Sequence, residues 1–147
     1  SDKFSTVIHS TPLISIDLVI INNEGQVLLG KRLNRPAKHF WFVPGGRILK
    51  NETMEKAFIR LTQEELGQVY KIEQAKLLGA YEHFYDDNVF NDKFSTHYVV
   101  LAYILKVGND LSSMPLNIQH DNYQWFEIEE LSNNNHIHRN TKSYFTN

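Results

Sequence analysis

A chain of 147 residues is long enough for one domain with a full hydrophobic core, and we expect a single domain over residues 1–147. The net charge of -2 gives no indication of a nucleic acid or an anionic membrane as partner, and the lack of cysteine excludes disulfides and thiolate metal sites. The apolar run Leu13 to Ile21 is too short to span a bilayer and no signal peptide is visible, so we expect a soluble cytoplasmic protein.

The first half of the chain predicts a β-hairpin followed by a glycine-rich loop. Leu13 to Ile21 is rich in β-branched residues and predicts a buried strand. Asn22 to Gly25 is a turn signal, and Gln26 to Arg32 predicts the returning strand. Trp41 to Val43 predicts a short strand, and Pro44-Gly45-Gly46 predicts an irregular loop whose backbone groups face a ligand.

The middle of the chain predicts one amphipathic helix. Thr53 to Leu66 has helical periodicity, with Asn51 as the expected N-cap and Gly67 as the expected C-cap. At about 100° per residue, four apolar side chains fall on one stripe that must face the core: Met54, Ala57, Phe58 and Leu61.

The same helix carries two adjacent carboxylates with different expected surroundings. Glu65 lies near the centre of the apolar stripe, where a carboxylate is costly unless it is paired or binds a cation. Arg60 lies one turn before Glu64, so these two are expected to pair, which leaves Glu65 as the better metal ligand. Two alternatives stay open: a frayed last turn that exposes Glu65 to water, and a second cation site at Glu64.

The second half predicts three more strands and a polar tail. Leu77 to Phe84 and Phe94 to Val107 read as strands, joined by an acidic, polar loop from Tyr85 to Lys93. Tyr123 to Ile128 predicts a last strand, followed by a helical turn at Glu129 to Leu131 and a polar tail that ends in a short helix. Strands on both sides of one helix predict a mixed α/β sandwich.

The spacing around the helix matches a known motif. Five residues separate Gly46 from Glu52, seven separate Glu52 from Arg60, and the segment closes at Glu64-Glu65-Leu66-Gly67. This pattern resembles the Nudix box of a family that hydrolyses nucleoside diphosphates linked to another group. Leu61 stands where most members of that family have Glu. The resemblance implies a hydrolase with a Nudix-type α/β/α sandwich and a mixed β-sheet.

Motifs outside the box extend the resemblance over nearly the whole chain, towards the GDP-mannose mannosyl hydrolase subfamily, in which Leu after the box Arg is typical. They are Gly30-Lys31-Arg32, Trp41 to Arg47, His83 to Asn88, Thr96 to Leu101 and Gln119-His120-Asp121. The resemblance implies hydrolysis of GDP-mannose, with GDP-glucose as a further candidate, to GDP and free sugar. In that reaction water attacks sugar C1 with inversion. The resemblance also implies a homodimer with one Mg²⁺ per subunit, which Mn²⁺ can replace.

The resemblance also assigns catalytic roles. It makes His120 the general base, and a histidine suits this role because its ordinary pKa lies near working pH. It makes Arg32 and Arg47 the residues that bind the leaving diphosphate. The implied Mg²⁺ ligands, all oxygen donors as this cation prefers, are the Gly45 carbonyl, the Glu65 carboxylate and the Gln119 side chain.

The resemblance further implies contacts to substrate by Asp17, His83 and Tyr98 around the sugar and by Phe4 at the guanine. The residues alone leave open whether Asp17 instead faces solvent at a strand edge, and whether Phe4 is an ordinary core residue. The pair His136 and His138, and Asp86-Asp87, are more typical of solvated polar segments than of metal sites.

Two other activities remain open. A Nudix pyrophosphatase would cleave a nucleotide sugar at phosphorus. A non-catalytic sensor of nucleotide sugars would bind without turnover, and Leu61 is the residue that favours this alternative.

Overall fold

The computed structural model describes residues 2–33, 38–91, 93–108 and 120–146, and of residues 120–122 it describes the backbone. The helices are α1 (Asp2–Ser10), α2 (Met54–Leu66) and α3 (Arg139–Lys142). The strands are β1 (Leu13–Ile21), β2 (Val27–Arg32), β3 (Trp41–Phe42), β4 (Gly45–Arg47), β5 (Lys76–Tyr85), β6 (Thr96–Lys106) and β7 (His120–Phe126).

The strands form one seven-stranded mixed sheet with β1 at its centre. The order is β3-β2-β1-β6-β5, with β4 paired to β1 and β7 paired to β2. β1 runs parallel to β6, from Leu13 opposite Tyr98 to Ile21 opposite Lys106, and the other pairings are antiparallel. The mixed sheet and the β1–β2 hairpin confirm the predicted α/β architecture. In the part of the chain that the structure describes, no helix has the length and apolar content needed to cross a membrane.

Alternation along β1 sends its side chains into two separate cores. Ile16, Leu18 and Ile20 pack with Phe58 of α2 in the first core. Val19 faces the other side of the sheet and packs in a second core that the residues after β7 help to build, including Leu131, Ile137 and Tyr144. Asp17 has the same parity as Val19, so it points towards this second layer.

The start of α2 differs from the prediction. Thr53, and not Asn51, is the N-cap: its backbone is extended and its hydroxyl accepts a hydrogen bond from the Lys56 amide at 3.1 Å. Asn51 has a φ of 68°, a left-handed conformation, whereas an N-cap residue is normally in the β region. The predicted C-cap is confirmed, since Gly67 has a φ of 74° and donates its N–H to the Gln63 carbonyl.

The predicted apolar stripe of α2 is confirmed for three of its four members. Ala57, Phe58 and Leu61 are buried, but Met54, the first residue of α2, is 41% exposed. Glu65 is only 3% exposed, so the carboxylate lies on the buried face and the last turn is not frayed.

Two elements were not predicted. Gly45 to Arg47 forms the strand β4 instead of an irregular loop, and it pairs antiparallel with Ser15 to Asp17 of β1. The helix α1 precedes the hairpin; its apolar residues Phe4, Val7 and Ile8 stand at helical spacing, a signal that the sequence prediction did not use.

Candidate functional site

A cavity of about 290 Å³ opens between the N-terminal part of β1, β4, the ends of β5 and β6, and α1. Seven residues of the predicted site lie on its wall: Phe4, Asp17, Arg32, Gly45, Arg47, His83 and Tyr98. The wall also includes residues that the sequence did not single out, among them Ser15, Phe42, Tyr85 and Val89. Because the sheet pairs strands that are far apart in the sequence, residues that are spread over most of the chain lie together at this cavity.

The two glycines of β4 allow a close approach between β1, β4 and α2. A Cβ at Gly45 would overlap the Ile16 carbonyl oxygen and would lie 2.8 Å from Asp17 Oδ1. A Cβ at Gly46 would lie 2.6 Å from Leu61 Cδ2. Neither position has room for a side chain. This steric limit explains why both residues are glycine, which the sequence pattern alone did not show.

The inner face of α2 presents Glu65 and Leu61 to the same short strand. Glu65 Oε1 accepts a hydrogen bond from the Gly45 amide at 3.3 Å, and Leu61 packs one turn earlier against Gly46. Position 61 thus lies beside β4 like position 65, but it supplies a hydrocarbon where Glu65 supplies a carboxylate. The helix therefore offers one carboxylate, and not two, at this strand.

The surroundings of Glu65 fit a hard cation that has few protein carboxylates. Among the described residues, no cluster of three or more His, Cys, Asp or Glu side chains is placed to hold a metal ion. A buried carboxylate next to a glycine backbone supplies oxygen donors of the kind that Mg²⁺ prefers. The third predicted ligand, Gln119, lies outside the described residues.

Arg60 connects α2 to the strand that carries Arg47. Its guanidinium forms a two-pronged ion pair with Glu52 at 2.7 and 2.9 Å and donates to the Arg47 carbonyl at 2.9 Å. The predicted pair with Glu64 is present at 3.3 Å, but Glu52 is the principal partner. The hydrogen bond from Arg60 lowers the pKa of Glu52 to about 2. These motif residues therefore fix the backbone of β4.

Two arginines give the cavity a cationic side. The Arg47 guanidinium lies 4.1 Å from the centre of the Phe4 ring, and the Arg32 guanidinium lies 5.6 Å from the centre of the Phe42 ring. The aromatic faces hold the planar cations by cation–π attraction. Phe4 is thus half-buried at the cavity, not in the core. Guanidinium groups at a cavity wall suit a phosphate ligand.

The part of the cavity wall around Asp17 carries a hydrogen-bonded network. The Tyr144 hydroxyl donates to Asp17 Oδ2 at 2.5 Å and lies 3.3 Å from His83 Nε2. Burial raises the pKa of Asp17 to about 7, against the opposing effects of the Tyr144 hydrogen bond and the Arg32 charge. Burial lowers the pKa of His83 to about 4, so its ring is neutral at physiological pH. Asp17 consequently does not face bulk solvent at a strand edge.

Two tyrosines complete this side as neutral hydroxyl groups. Tyr98 pairs with His83 across β5 and β6, and the Tyr85 and Tyr98 rings meet edge to face at 6.3 Å. Burial raises the pKa of both hydroxyls, that of Tyr85 to about 12. They can therefore exchange hydrogen bonds with a ligand without carrying charge.

The backbone of His120 pairs with that of Arg32, a residue of the cavity wall. His120 is the first residue of β7 and is the register partner of Arg32 on β2, after an irregularity between Gly30 and Arg32. Arg32 lines the cavity, so the pairing brings position 120 to its cationic side.

The residues after β7 pack behind the cavity wall, against Phe42, Tyr85 and Asp17, and the sequence did not predict this packing. His138 is half-buried, not solvated: its ring stacks on Phe42 at 4.7 Å, approaches Tyr85 at 5.3 Å, and caps α3 by accepting from the Asn140 amide. His136 is exposed, as predicted. Asp86-Asp87 lies in the polar loop after β5, also as predicted. The aromatic pair Tyr144-Phe145 in a polar tail was the available signal for this packing.

The depressed pKa of His138 makes stability depend on pH. Burial lowers this pKa from 6.5 to about 4, so the unfolded chain takes up the proton first and stability is lost as pH falls from about 6.5 to about 4. The variant His138→Asn keeps an N-cap acceptor and removes this titration. We expect the urea midpoint of the variant, relative to that of the unmodified protein, to rise as the pH falls through that window. The raised pKa of Asp17 gives stability the opposite dependence on pH, but this contribution is the same in both proteins. A difference in urea midpoint between the two proteins that does not vary with pH would contradict the lowered pKa of His138.

Comparison with known proteins places the chain in a family. The NUDIX domain family matches residues 11–146. The low-salt glycan biosynthesis protein Agl8 of Haloferax volcanii is 41% identical over 126 residues, which cover 86% of this chain and 78% of that protein. The ADP-ribose pyrophosphatase of Methanocaldococcus jannaschii is 37% identical over 79 residues, or 54% of this chain and 44% of that protein.

Solved structures share the fold. A MutT protein from Methanosarcina mazei has a TM-score of 0.73 at 19% identity and covers 92% of both chains. A MutT NUDIX hydrolase from Burkholderia pseudomallei has a TM-score of 0.71 at 24% identity and covers 92% of this chain and 97% of that one. Because the NUDIX domain family matches residues 11–146, most of its length, the chain belongs to the Nudix hydrolase family.

Proposed function

We propose that the protein is a Mg²⁺-dependent hydrolase that converts GDP-mannose and water to GDP and free mannose by breaking the bond between sugar C1 and oxygen. The observation that carries the proposal is one cavity that combines two guanidinium groups with a carboxylate and neutral hydroxyl and imidazole groups. Guanidinium groups match a diphosphate, and the neutral groups with Asp17 match the hydroxyls of a sugar.

In this proposal the cationic side of the cavity binds the leaving group. Arg32 and Arg47 donate charge-assisted hydrogen bonds to the diphosphate, whose charge is largest after the C1–O bond has broken. Mg²⁺ held by the Gly45 carbonyl, Glu65 and the Gln119 side chain would supply further neutralisation of that charge. Arg60 supports Arg47 in this role by donating a hydrogen bond to the Arg47 carbonyl at 2.9 Å.

His120 is the proposed general base. Leu61 leaves α2 without a second carboxylate beside β4, so the base must come from another element. The register of β7 brings position 120 opposite Arg32 at the cavity. A neutral imidazole there would take a proton from water that attacks C1 from the face opposite the diphosphate, which inverts the anomeric carbon as in inverting glycosidases.

The similarity to Agl8 supports a nucleotide sugar as substrate. That protein's name places it in glycan biosynthesis, and the synthesis of glycans consumes activated sugars. The 41% identity extends over 86% of this chain, so the similarity is not confined to the box.

The products of GDP-mannose in ¹⁸O-labelled water test the proposal. We expect GDP and mannose as products, with the label in mannose, because attack at C1 puts the water oxygen on the sugar. GMP with mannose 1-phosphate, or label on a phosphate, would contradict attack at C1. The same assay with GDP-glucose measures how strictly the sugar is selected.

The second candidate is a pyrophosphatase, which the similarity to an ADP-ribose pyrophosphatase over 79 residues favours. It predicts cleavage at phosphorus, so GMP and mannose 1-phosphate are its signature. A third candidate, a non-catalytic sensor, is favoured by Leu61 and predicts that GDP-mannose binds without turnover at any pH.

A further inference from the structure

We propose that Tyr144 is a positioning residue that orients Asp17 and fixes the tautomer of His83, so that this pair recognises the hydroxyl groups of an uncharged sugar unit. The inference rests on the proposed function, because it specifies how the sugar end of the same cavity selects its ligand. Tyr144 itself lies behind the cavity wall and is not assigned any contact with substrate.

The Tyr144 ring is held firmly enough to act in this way. It lies in the helical turn Ser143–Phe145 that follows α3 and is 8% exposed. Its ring meets the Tyr81 ring edge to face at 4.8 Å and packs in the second core of the sheet. The hydroxyl therefore has a fixed position between Asp17 and His83.

The direction of each hydrogen bond follows from the number of protons. When Asp17 is ionised, the Tyr144 hydroxyl donates its one proton to Asp17 Oδ2 at 2.5 Å. The hydroxyl oxygen can then only accept from His83 Nε2, 3.3 Å away. A neutral His83 must consequently carry its proton on Nε2 and leave Nδ1 as an acceptor. One hydroxyl group thus sets the state of two side chains.

The same bond leaves Asp17 with one carboxylate oxygen for a ligand. Oδ2 is engaged by Tyr144, whereas Oδ1 faces Gly45, where a Cβ would lie 2.8 Å from it. An oriented carboxylate oxygen accepts a hydrogen bond from a hydroxyl group and repels an anion. This part of the cavity therefore suits a neutral sugar, and in the proposed function Arg32 and Arg47 bind the diphosphate.

Removing only the Tyr144 hydroxyl tests the role in substrate recognition. For Tyr144→Phe we expect KM for GDP-mannose to rise roughly 10-fold, since a hydrogen bond to a charged group is lost, with little change in kcat or in the inhibition constant of GDP. The matched control is Tyr81→Phe, which removes a hydroxyl from the neighbouring ring and should leave KM unchanged. A merely structural role would reduce the active fraction, and a fall in kcat at constant KM would overturn the proposal.

A spectroscopic measurement tests the same role without catalysis. In ¹⁵N-labelled protein without ligand, the ring nitrogen shifts of His83 should report the Nε2–H tautomer, and Tyr144→Phe should shift the population towards Nδ1–H. The Nδ1–H tautomer in the unmodified protein, or no change in the variant, would overturn the proposal. If the unmodified protein does not hydrolyse GDP-mannose, the proposed function fails, but the tautomer still decides the role of Tyr144.

Discussion

Replacing His120 with Gln is expected to lower kcat for GDP-mannose by about 10²–10⁴ while GDP binds with unchanged affinity, as expected when a general base is lost. Glutamine retains a side chain of similar length that can hydrogen-bond to water but cannot accept its proton. The expected loss falls on kcat because the proton is transferred in the transition state and not during binding. Steady-state kinetics combined with a GDP binding titration separates these two effects.

The control for this variant is His136→Gln, which changes an exposed histidine in the tail. It should retain the kcat of the unmodified protein. An unchanged kcat in His120→Gln would reject His120 as the base. The wall residue His83 would then be the next histidine to examine, because it is the one on the cavity wall among the described residues.

Replacing Glu65 with Gln is expected to have the second large effect, a loss of about 10²-fold or more in Mg²⁺ affinity or activity. Changes to groups that only support metal ligands already cost 10–100-fold, and Glu65 is proposed as a ligand itself. The amide keeps the size of the side chain and an oxygen acceptor near the Gly45 amide, so the packing of α2 should persist. Activity measured across a Mg²⁺ titration checks the result.

Glu64→Gln is the matched control, because it makes the same chemical change one residue away on an exposed side chain. Its Mg²⁺ titration should match that of the unmodified protein. If Glu64→Gln weakens the Mg²⁺ response and Glu65→Gln does not, the metal lies on the outer face of α2. If neither variant responds, the metal site lies on another element.

The sequence pattern was sufficient for features that depend on local periodicity. A run rich in β-branched residues located β1, and the helical repeat placed Glu65 on the buried face with Leu61. The sequence pattern was not sufficient for the N-cap of α2, which depends on backbone conformation. Asn51 and Thr53 are both favourable N-caps, and only the positive φ of Asn51 selects Thr53.

Long-range contacts explain what the sequence could not show about the site. The Tyr144–Asp17 hydrogen bond joins positions 127 residues apart, and no local pattern encodes it. β4 was predicted as a loop because its glycines disfavour strands locally, whereas the space between β1 and α2 admits only glycine there. The resemblance to the Nudix family led to Asp17 and His83, but it did not lead to the Tyr144 that joins them.

The separation between Asp17 and Tyr144 also has a consequence for biosynthesis. Asp17 belongs to the strand at the centre of the sheet, yet its hydroxyl donor belongs to one of the last turns of the described chain. A ribosome-bound chain that has completed β1 to β6 therefore carries the Asp17 carboxylate without Tyr144. If Tyr144 orients Asp17 as proposed, a nascent chain can gain its selectivity for a sugar only after translation has passed Tyr144.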